Sequence, residues 1–127
     1  MKHFRLLCSL TFACLLNACA GPHPDAVGTG DLGVVIERAN GTLAIINTSE
    51  PRVLGEVAGL GDLSHASVVF SRDAAHAYVF GRDGALTKVN VLTRQIEARS
   101  QQAGNSIGGA ISQDGRLVAA QNYEPGG

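Results

Sequence analysis

The stretch YVFGRDGALTKVN, residues 78–90, decides the fold, because the chain has already used its pattern once. Set against VVIERANGTLAIIN, residues 34–47, it places Gly84 and Asn90 each 43 positions after Gly41 and Asn47, with Arg82 opposite Arg38 across one inserted residue. A second register interlocks with the first. FSRDAAHAYVF, residues 70–80, matches ISQDGRLVAAQ, residues 111–121, with Ser71 and Ser112 41 apart, as are Asp73 and Asp114. Two offset matches at nearly the same period describe one structural repeat, and each copy contains four short strands.

One full copy reads directly from the residues. Ala66 to Phe70 is a first strand and Ser71 to Ala75 a turn. His76 to Gly81 is a second strand, closed by Arg82-Asp83-Gly84, and Asp-Gly ahead of a new apolar run is a strong hairpin signal. Ala85 to Val91 is a third strand, Leu92-Thr93-Arg94 turns the chain, and Gln95 to Arg99 is a fourth, more polar strand. No helical apolar period runs for any useful length. Four antiparallel strands per repeat of this size mark a β-propeller blade, so the fold is all-β. A ring needs roughly four to eight blades to remove its exposed edges. This sequence supplies about two and a half: most of one (34–58), all of a second (66–99) and the start of a third (107–124). It ends AAQNYEPGG with no closing element, which predicts the N-terminal part of a longer propeller.

The other end of the chain carries an address. Lys2 and Arg5 precede an apolar core from Leu6 to Leu16, too short for a bilayer span of roughly 20 residues and typical of a secretory signal. Leu16-Asn17-Ala18-Cys19 then has the form of a bacterial lipobox, with Asn17 a less usual choice at its position. This divides the chain into a lipoprotein signal peptide (1–18), a Gly/Pro-rich tether (19–31) and a propeller segment (32–127). It implies lipidation at Cys19 and a periplasmic protein anchored to a membrane, with Ala20 favouring the outer one. An ordinary signal cleaved at Ala18 or Ala20 is the alternative. Cys8 and Cys14 would leave with the signal, so the mature chain keeps no thiol for a disulfide, a thiolate metal site or a nucleophile. No Cys-x-x-Cys-His is present to attach a c-type haem. Ten basic residues against eleven acidic ones give no electrostatic reason to expect nucleic acid.

Blade order locates the polar residues. Strand direction alternates, so the start of strand one and the turn between strands two and three lie at the same end, where the channel of a propeller opens. His65 stands at that start in the full copy, and Arg38 and Arg82 stand at those turns in adjacent blades. Asn122, Tyr123 and Glu124 approach the same turn in the third. The turns Ser71-Arg72-Asp73 and Ser112-Gln113-Asp114 fall at the opposite end and read as structural. His76 beside one of them reads as solvated, His23 belongs to the tether, and His3 leaves with the signal. Each site candidate has a plainer alternative: His65 as a capping residue bonded to a loop carbonyl, the arginines as blade consensus. The residue 41 places after His65 is Ser106, so the blade itself does not require histidine. One imidazole near two guanidinium groups suits a planar, carboxylate-bearing ligand that carries a metal, because imidazole ligates haem iron and the arginine fork pairs carboxylates bidentately.

SHASVVFSRDAAHAYVFGRDGALTKVNVL resembles the haem d1-binding eight-bladed propeller of cytochrome cd1 nitrite reductase and its biosynthetic relatives, with IERANGTLAIIN continuing the likeness into the preceding blade. HASVVFSRD, FGRDG and NSIGGAISQDGRLVAAQNYEPGG look most like the haem d1 biosynthesis branch, the F member of the nir group. The resemblance spans about residues 32 to 124. It implies that His65 is the axial ligand to the iron of haem d1 or a late precursor, and that Arg38 and Arg82 hold carboxylates of the macrocycle. The partners it implies are a tetrapyrrole intermediate, other haem d1 biosynthesis proteins and nitrite reductase. Departures from the reductase are the Val68 that replaces an arginine, a spacing to the GRDG turn longer by one, and the lack of a preceding cytochrome c domain, so nitrite reduction is not expected. The expected function is conversion of a late tetrapyrrole intermediate towards haem d1, with catalytic residues unassigned. A non-catalytic tetrapyrrole carrier and a cofactor-free scaffold lipoprotein are the alternatives.

Overall fold

The computed structural model describes residues 28–126. The signal segment, Cys19, the tether up to residue 27 and the final Gly127 lie outside the described residues. After a single 3-10 turn at Thr29–Asp31, the chain forms β1 (Leu32–Glu37), β2 (Thr42–Asn47) and β3 (Arg52–Val57), then β4 (Ser67–Phe70), β5 (His76–Phe80), β6 (Ala85–Asn90) and β7 (Gln95–Gln101), then β8 (Gly104–Ile111) and β9 (Val118–Glu124). These make three antiparallel sheets of three, four and two strands, each ordered as the chain runs. The all-β expectation holds, and the sheets are the three parts of blades that the repeat implies.

Alternation with period two builds the strands. In β6, Ala85, Thr87 and Val89 are buried while Leu86, Lys88 and Asn90 are half-buried. Val89, with Ala77 and Val79 from β5, meets Leu43, Ile45 and Val57 of the first sheet, and Leu60 and Leu63 of the intervening linker complete that core. Each Val, Leu or Ile among them contributes about 1.5–3 kcal/mol on full burial, more than a surface contact supplies, so the blade-to-blade core dominates the packing. Phe80 is fully buried on the other side of the second sheet. Its ring lies so close to β8 that a Cβ on Gly109 would stand 2.4 Å from Cε1. β7 is exposed throughout, as the polar outer strand should be.

The repeat extends to its irregularities. A bulge shifts the β2–β3 register between Ile45 and Ile46, and another shifts β6–β7 between Lys88 and Val89. Strand limits differ from the sequence reading in places. β6 stops at Asn90 and leaves Val91 buried in the turn, and β7 runs two residues further, to Gln101. β8 starts at Gly104 rather than 107. Gln102 N–H donates to Gly84 O at 3.0 Å, and the Gln101 side chain donates to Ala103 O at 3.1 Å, so the link stays extended through the corner.

Candidate functional site

The linker between β3 and β4 carries His65, and burial pins it. Leu60, Leu63 and Ala66 are 1%, 0% and 5% exposed and act as three apolar anchors. Between them the backbone reaches in two directions. Leu60 N–H donates to Gly41 O at 3.2 Å, in the β1–β2 turn, and Asp62 O accepts from Arg82 N–H at 2.8 Å, in the β5–β6 turn. The approach to the first turn is tight: Gly41 has φ +65°, and a Cβ there would meet Gly61 O at 2.6 Å. The linker therefore joins the turns bearing Arg38 and Arg82 into one ledge, at the end the sequence assigned to all three candidates.

On that ledge His65 and Arg82 are exposed, and His65 Nδ1 lies 3.2 Å from Arg82 Nη1. A guanidinium only donates, so Nδ1 accepts and the proton of the neutral ring sits on Nε2. Asp62 completes a charged group with them. Hydrogen bonds from Ser64, first its side chain and then its backbone N–H, draw the Asp62 carboxyl below its ordinary range, with smaller pulls from Arg82 and His65. Arg38 occupies the equivalent turn of the first sheet, is exposed, and has no hydrogen-bond or ion-pair partner among the described residues.

The neighbours of Arg82 are committed elsewhere. Asp83 Oδ2 pairs with Arg99 Nη2 at 2.6 Å, Asp83 Oδ1 accepts from Ala85 N–H at 3.2 Å, and the Gln101 amide donates to the Asp83 carbonyl. Arg99 Nη1 also donates to Gly59 O at 3.2 Å, which ties β7 to the linker. Sequence reasoning missed Asp62 and Arg99. Asp62 stands three places before His65 and could have been found by asking which acid faces the arginines, whereas Arg99 gave no local signal.

The third sheet has its own version of this position. Ser106, the repeat counterpart of His65, is 1% exposed and pairs across β8–β9 with Asn122. Ser106 Oγ and Asn122 Oδ1 are buried without a hydrogen-bond partner among the described residues. At the opposite end His76 is half-buried and not merely solvated, as the sequence suggested: its Nε2 lies 3.1 Å from Glu97 Oε2. Lys88, at 2.8 Å, and then Asn90 hold the Glu97 carboxyl down at about 2.

Chemically, the ledge offers one imidazole, two arginines and one aspartate. No group of three or more His, Cys, Asp or Glu side chains among the described residues could chelate a bare ion. A single imidazole beside one guanidinium, with a second on the adjoining turn, fits a metal delivered inside a macrocycle that supplies the other ligands and carries carboxylates. Two cavities lie away from the ledge: one of about 440 Å³ between Ile46 and Val53, and one of about 220 Å³ between Tyr78 and Ser100. The ledge is an open surface.

Comparison with known proteins bears on this geometry. Residues 27–127 match the family described as Cytochrome D1 heme domain. The chain is 64% identical over 113 residues to Protein NirF of Stutzerimonas stutzeri, covering 89% of this chain and 28% of that protein. It is 61% identical over 113 residues to Protein NirF of Pseudomonas aeruginosa, covering 89% and 29%. The chain thus spans less than a third of the length of these curated relatives. Among solved structures it superposes on dihydro-heme d1 dehydrogenase NirN in complex with DHE with a TM-score of 0.73 and 24% identity, over 87% of this chain and 24% of that one. Kuenenia stuttgartiensis hydrazine synthase gives 0.68 and 17% identity over 76% and 27%. Both likenesses concern the fold.

Proposed function

The chain belongs to the cytochrome D1 haem domain family, and from that premise we propose that it is part of a haem d1 biosynthesis protein whose ledge binds a late tetrapyrrole intermediate. The observation that carries this reading is the meeting of His65 and Arg82 at 3.2 Å on the linker that also joins the Arg38 turn. Identity above 60% to two NirF proteins supports the same reading. So does the likeness in fold to NirN, which is described in complex with DHE.

In this reading His65 would hold the iron, and Arg38 and Arg82 would clamp carboxylates of the macrocycle from two adjacent blades. Two arginines on separate turns fix the plane of a rigid ligand better than one, because each fork pairs with a carboxylate in a defined plane. When bound, the iron macrocycle supplies the redox and bond-changing chemistry. The chain's own residues bind it, orient it and set the charge around it. Asp62 keeps the carboxylate side from becoming uniformly cationic. The mature protein is tethered in the periplasm through Cys19, and it exchanges its ligand with other haem d1 biosynthesis proteins and nitrite reductase.

The test is a visible-absorption titration of the full-length protein with haem d1. Wild type should give a shifted spectrum that His65→Ala loses, and Arg38→Ala or Arg82→Ala should each weaken binding about tenfold, the effect of one charge-assisted hydrogen bond. Turnover of a late intermediate by wild type would identify an enzyme, and tight binding without turnover a carrier. Absence of binding by wild type would overturn both. For the anchor, palmitate labelling should be lost in Cys19→Ser, and labelling that persists would overturn lipidation at that residue.

A further inference from the structure

A neutral imidazole has one N–H and one lone pair. In this structure the lone pair is already engaged. Arg82 Nη1 stands 3.2 Å from Nδ1, and because a guanidinium has no acceptor, that contact takes the lone pair and leaves the proton on Nε2. A metal cannot approach Nδ1 while the guanidinium is there. It cannot bond Nε2 while the proton is there, and moving that proton to Nδ1 would set two donors against each other. Ligation through either nitrogen therefore requires the contact between His65 and Arg82 to break.

We propose that His65 and Arg82 form a carboxylate-triggered pair, in which Arg82 masks His65 until a carboxylate of the incoming macrocycle draws the guanidinium away. This rests on the tetrapyrrole-binding reading above and adds an order of events to it. The structure shows why Arg82 is the part that moves. Its backbone is fixed by the bond from its N–H to Asp62 O, and the turn is closed by Gly84 N–H to Gly81 O at 3.0 Å. Its side chain is exposed. The turn's own carboxylate, Asp83, is already paired with Arg99 at 2.6 Å, and the Asp62 carboxyl is bonded by Ser64 and makes no ion pair with Arg82, so neither takes the guanidinium. An ionised carboxylate bonds a guanidinium bidentately and with full charge, so it outcompetes a neutral ring nitrogen. Once Arg82 leaves, the ring can exchange its proton from Nε2 to Nδ1 through water, which would leave the Nε2 lone pair to hold a metal with no net proton taken up or released. If Nδ1 were the nitrogen to hold it, the proton would stay on Nε2.

The pair would thus read the macrocycle's carboxylates twice, once for affinity and once as the condition for ligation. While Arg82 stays, only a fraction of the protein is competent to ligate, and apparent affinity for ligation falls by that fraction. The experiment uses the full-length protein with haem d1 and with the same macrocycle as its methyl ester. Wild type should show the imidazole-ligated spectrum with the acid, and about tenfold less of it with the ester. Arg82→Ala and Arg82→Gln should bind the acid more weakly, yet ligate the ester better than wild type does, because His65 is unmasked. Histidine-selective ¹⁵N spectra of the ligand-free protein should show His65 with its proton on Nε2 in wild type and as mixed tautomers in Arg82→Ala. Equal ligation of acid and ester by wild type, or a tautomer unchanged by Arg82→Ala, would overturn the masking. A ligated spectrum retained in His65→Ala would instead overturn the binding assignment beneath it.

Discussion

The turns at one end of the blades copy one another, whereas the contacts that hold His65 at the other end do not. At the end away from His65 the turns repeat almost atom for atom. Ser71 and Ser112 each donate to the aspartate two residues on at 2.6 Å, and Asp73 and Asp114 accept the N–H of Ala75 and Arg116 at 3.0 and 3.1 Å. The serines then accept the N–H of His76 and Leu117 at 2.9 and 3.0 Å. Asn47 and Asn90 cap the next turns in the same way, each taking two backbone N–H groups at 2.9 to 3.0 Å. Long-range bonds occur at this end too, as where Arg94 Nη1 donates to Leu54 O at 2.8 Å. At the His65 end, though, the contacts that hold the candidate site are of that kind throughout, from Arg82 to His65, Arg99 to Gly59 and Leu60 to Gly41, and the third sheet replaces histidine with serine. Groups that close within their own turn can be copied from blade to blade. Groups that depend on a neighbour are free to differ, and that is where a ligand site can arise.

The comparison is broken most forcefully through glycine. Gly84, at the His65 end, and Gly115, at the other, have φ +82° and +72°. A Cβ on Gly84 would fall 1.2 Å from Ala103 O, whereas one on Gly115 would meet only Arg72 Cγ at 3.4 Å. Gly84→Ala must displace the β7–β8 link and should cost about 4 kcal/mol or more, among the largest losses a single residue causes. Gly115→Ala carries only the left-handed backbone penalty, about 1–2 kcal/mol. Urea midpoints of the two variants in the full-length protein check this. Equal losses would mean that the ends are not differently constrained.

A smaller effect tests whether the repeated turns are energetically alike. In both, the serine hydroxyl and then a backbone N–H hold the aspartate carboxyl below its ordinary range. A carboxyl lowered by folding contributes stability that is present above its unfolded value of about 3.9 and is lost as the pH falls through the lower folded one. Asp73→Asn and Asp114→Asn should each lower the urea midpoint at pH 7 by a similar amount. The double variant should lose stability less steeply than wild type as the pH falls below about 4. A steep acid loss that survives both changes would locate it elsewhere, with Glu97 the first candidate.

What could be read from the sequence was whatever closes locally, at either end. The blade repeat was legible because turns demand the same residue types at fixed spacing, Ser and Asp 41 apart and Asn 43 apart away from His65, and Gly 43 apart beside it. His65, Arg38 and Arg82 could be placed at one end because strand direction alternates. Their mutual arrangement was not legible. The bond between His65 and Arg82 depends on how the linker is anchored by Leu60 and Leu63, a packing fact with no local spacing. The ion pair of Arg99 with Asp83 joins residues 16 apart on different elements, and that of His76 with Glu97 crosses three strands. The early start of β8 had the same cause, since Gly84 O and Gln101 hold the link from outside it.

The smallest expected effect is the sharpest in sign, and it uses two serines of one sheet. Ser112 lies in a self-closing turn, where its hydroxyl both donates to Asp114 and accepts from Leu117. Ser112→Ala should cost about 1 kcal/mol, the net worth of an ordinary hydrogen bond. Ser106 is more deeply buried, so burial alone would rank it the more costly to change. Yet its hydroxyl has no partner among the described residues, and the carbonyl oxygen of Asn122 opposite is equally unpaired. Removing a buried hydroxyl that bonds nothing takes away a desolvation penalty together with a small volume. Ser106→Ala should therefore shift stability by less than about 0.5 kcal/mol, or raise it slightly. Paired urea melts of the two variants decide between burial and satisfaction as the controlling quantity. A loss at Ser106 equal to that at Ser112 would mean that this position, like His65 one blade earlier, is completed by a group from another part of the protein.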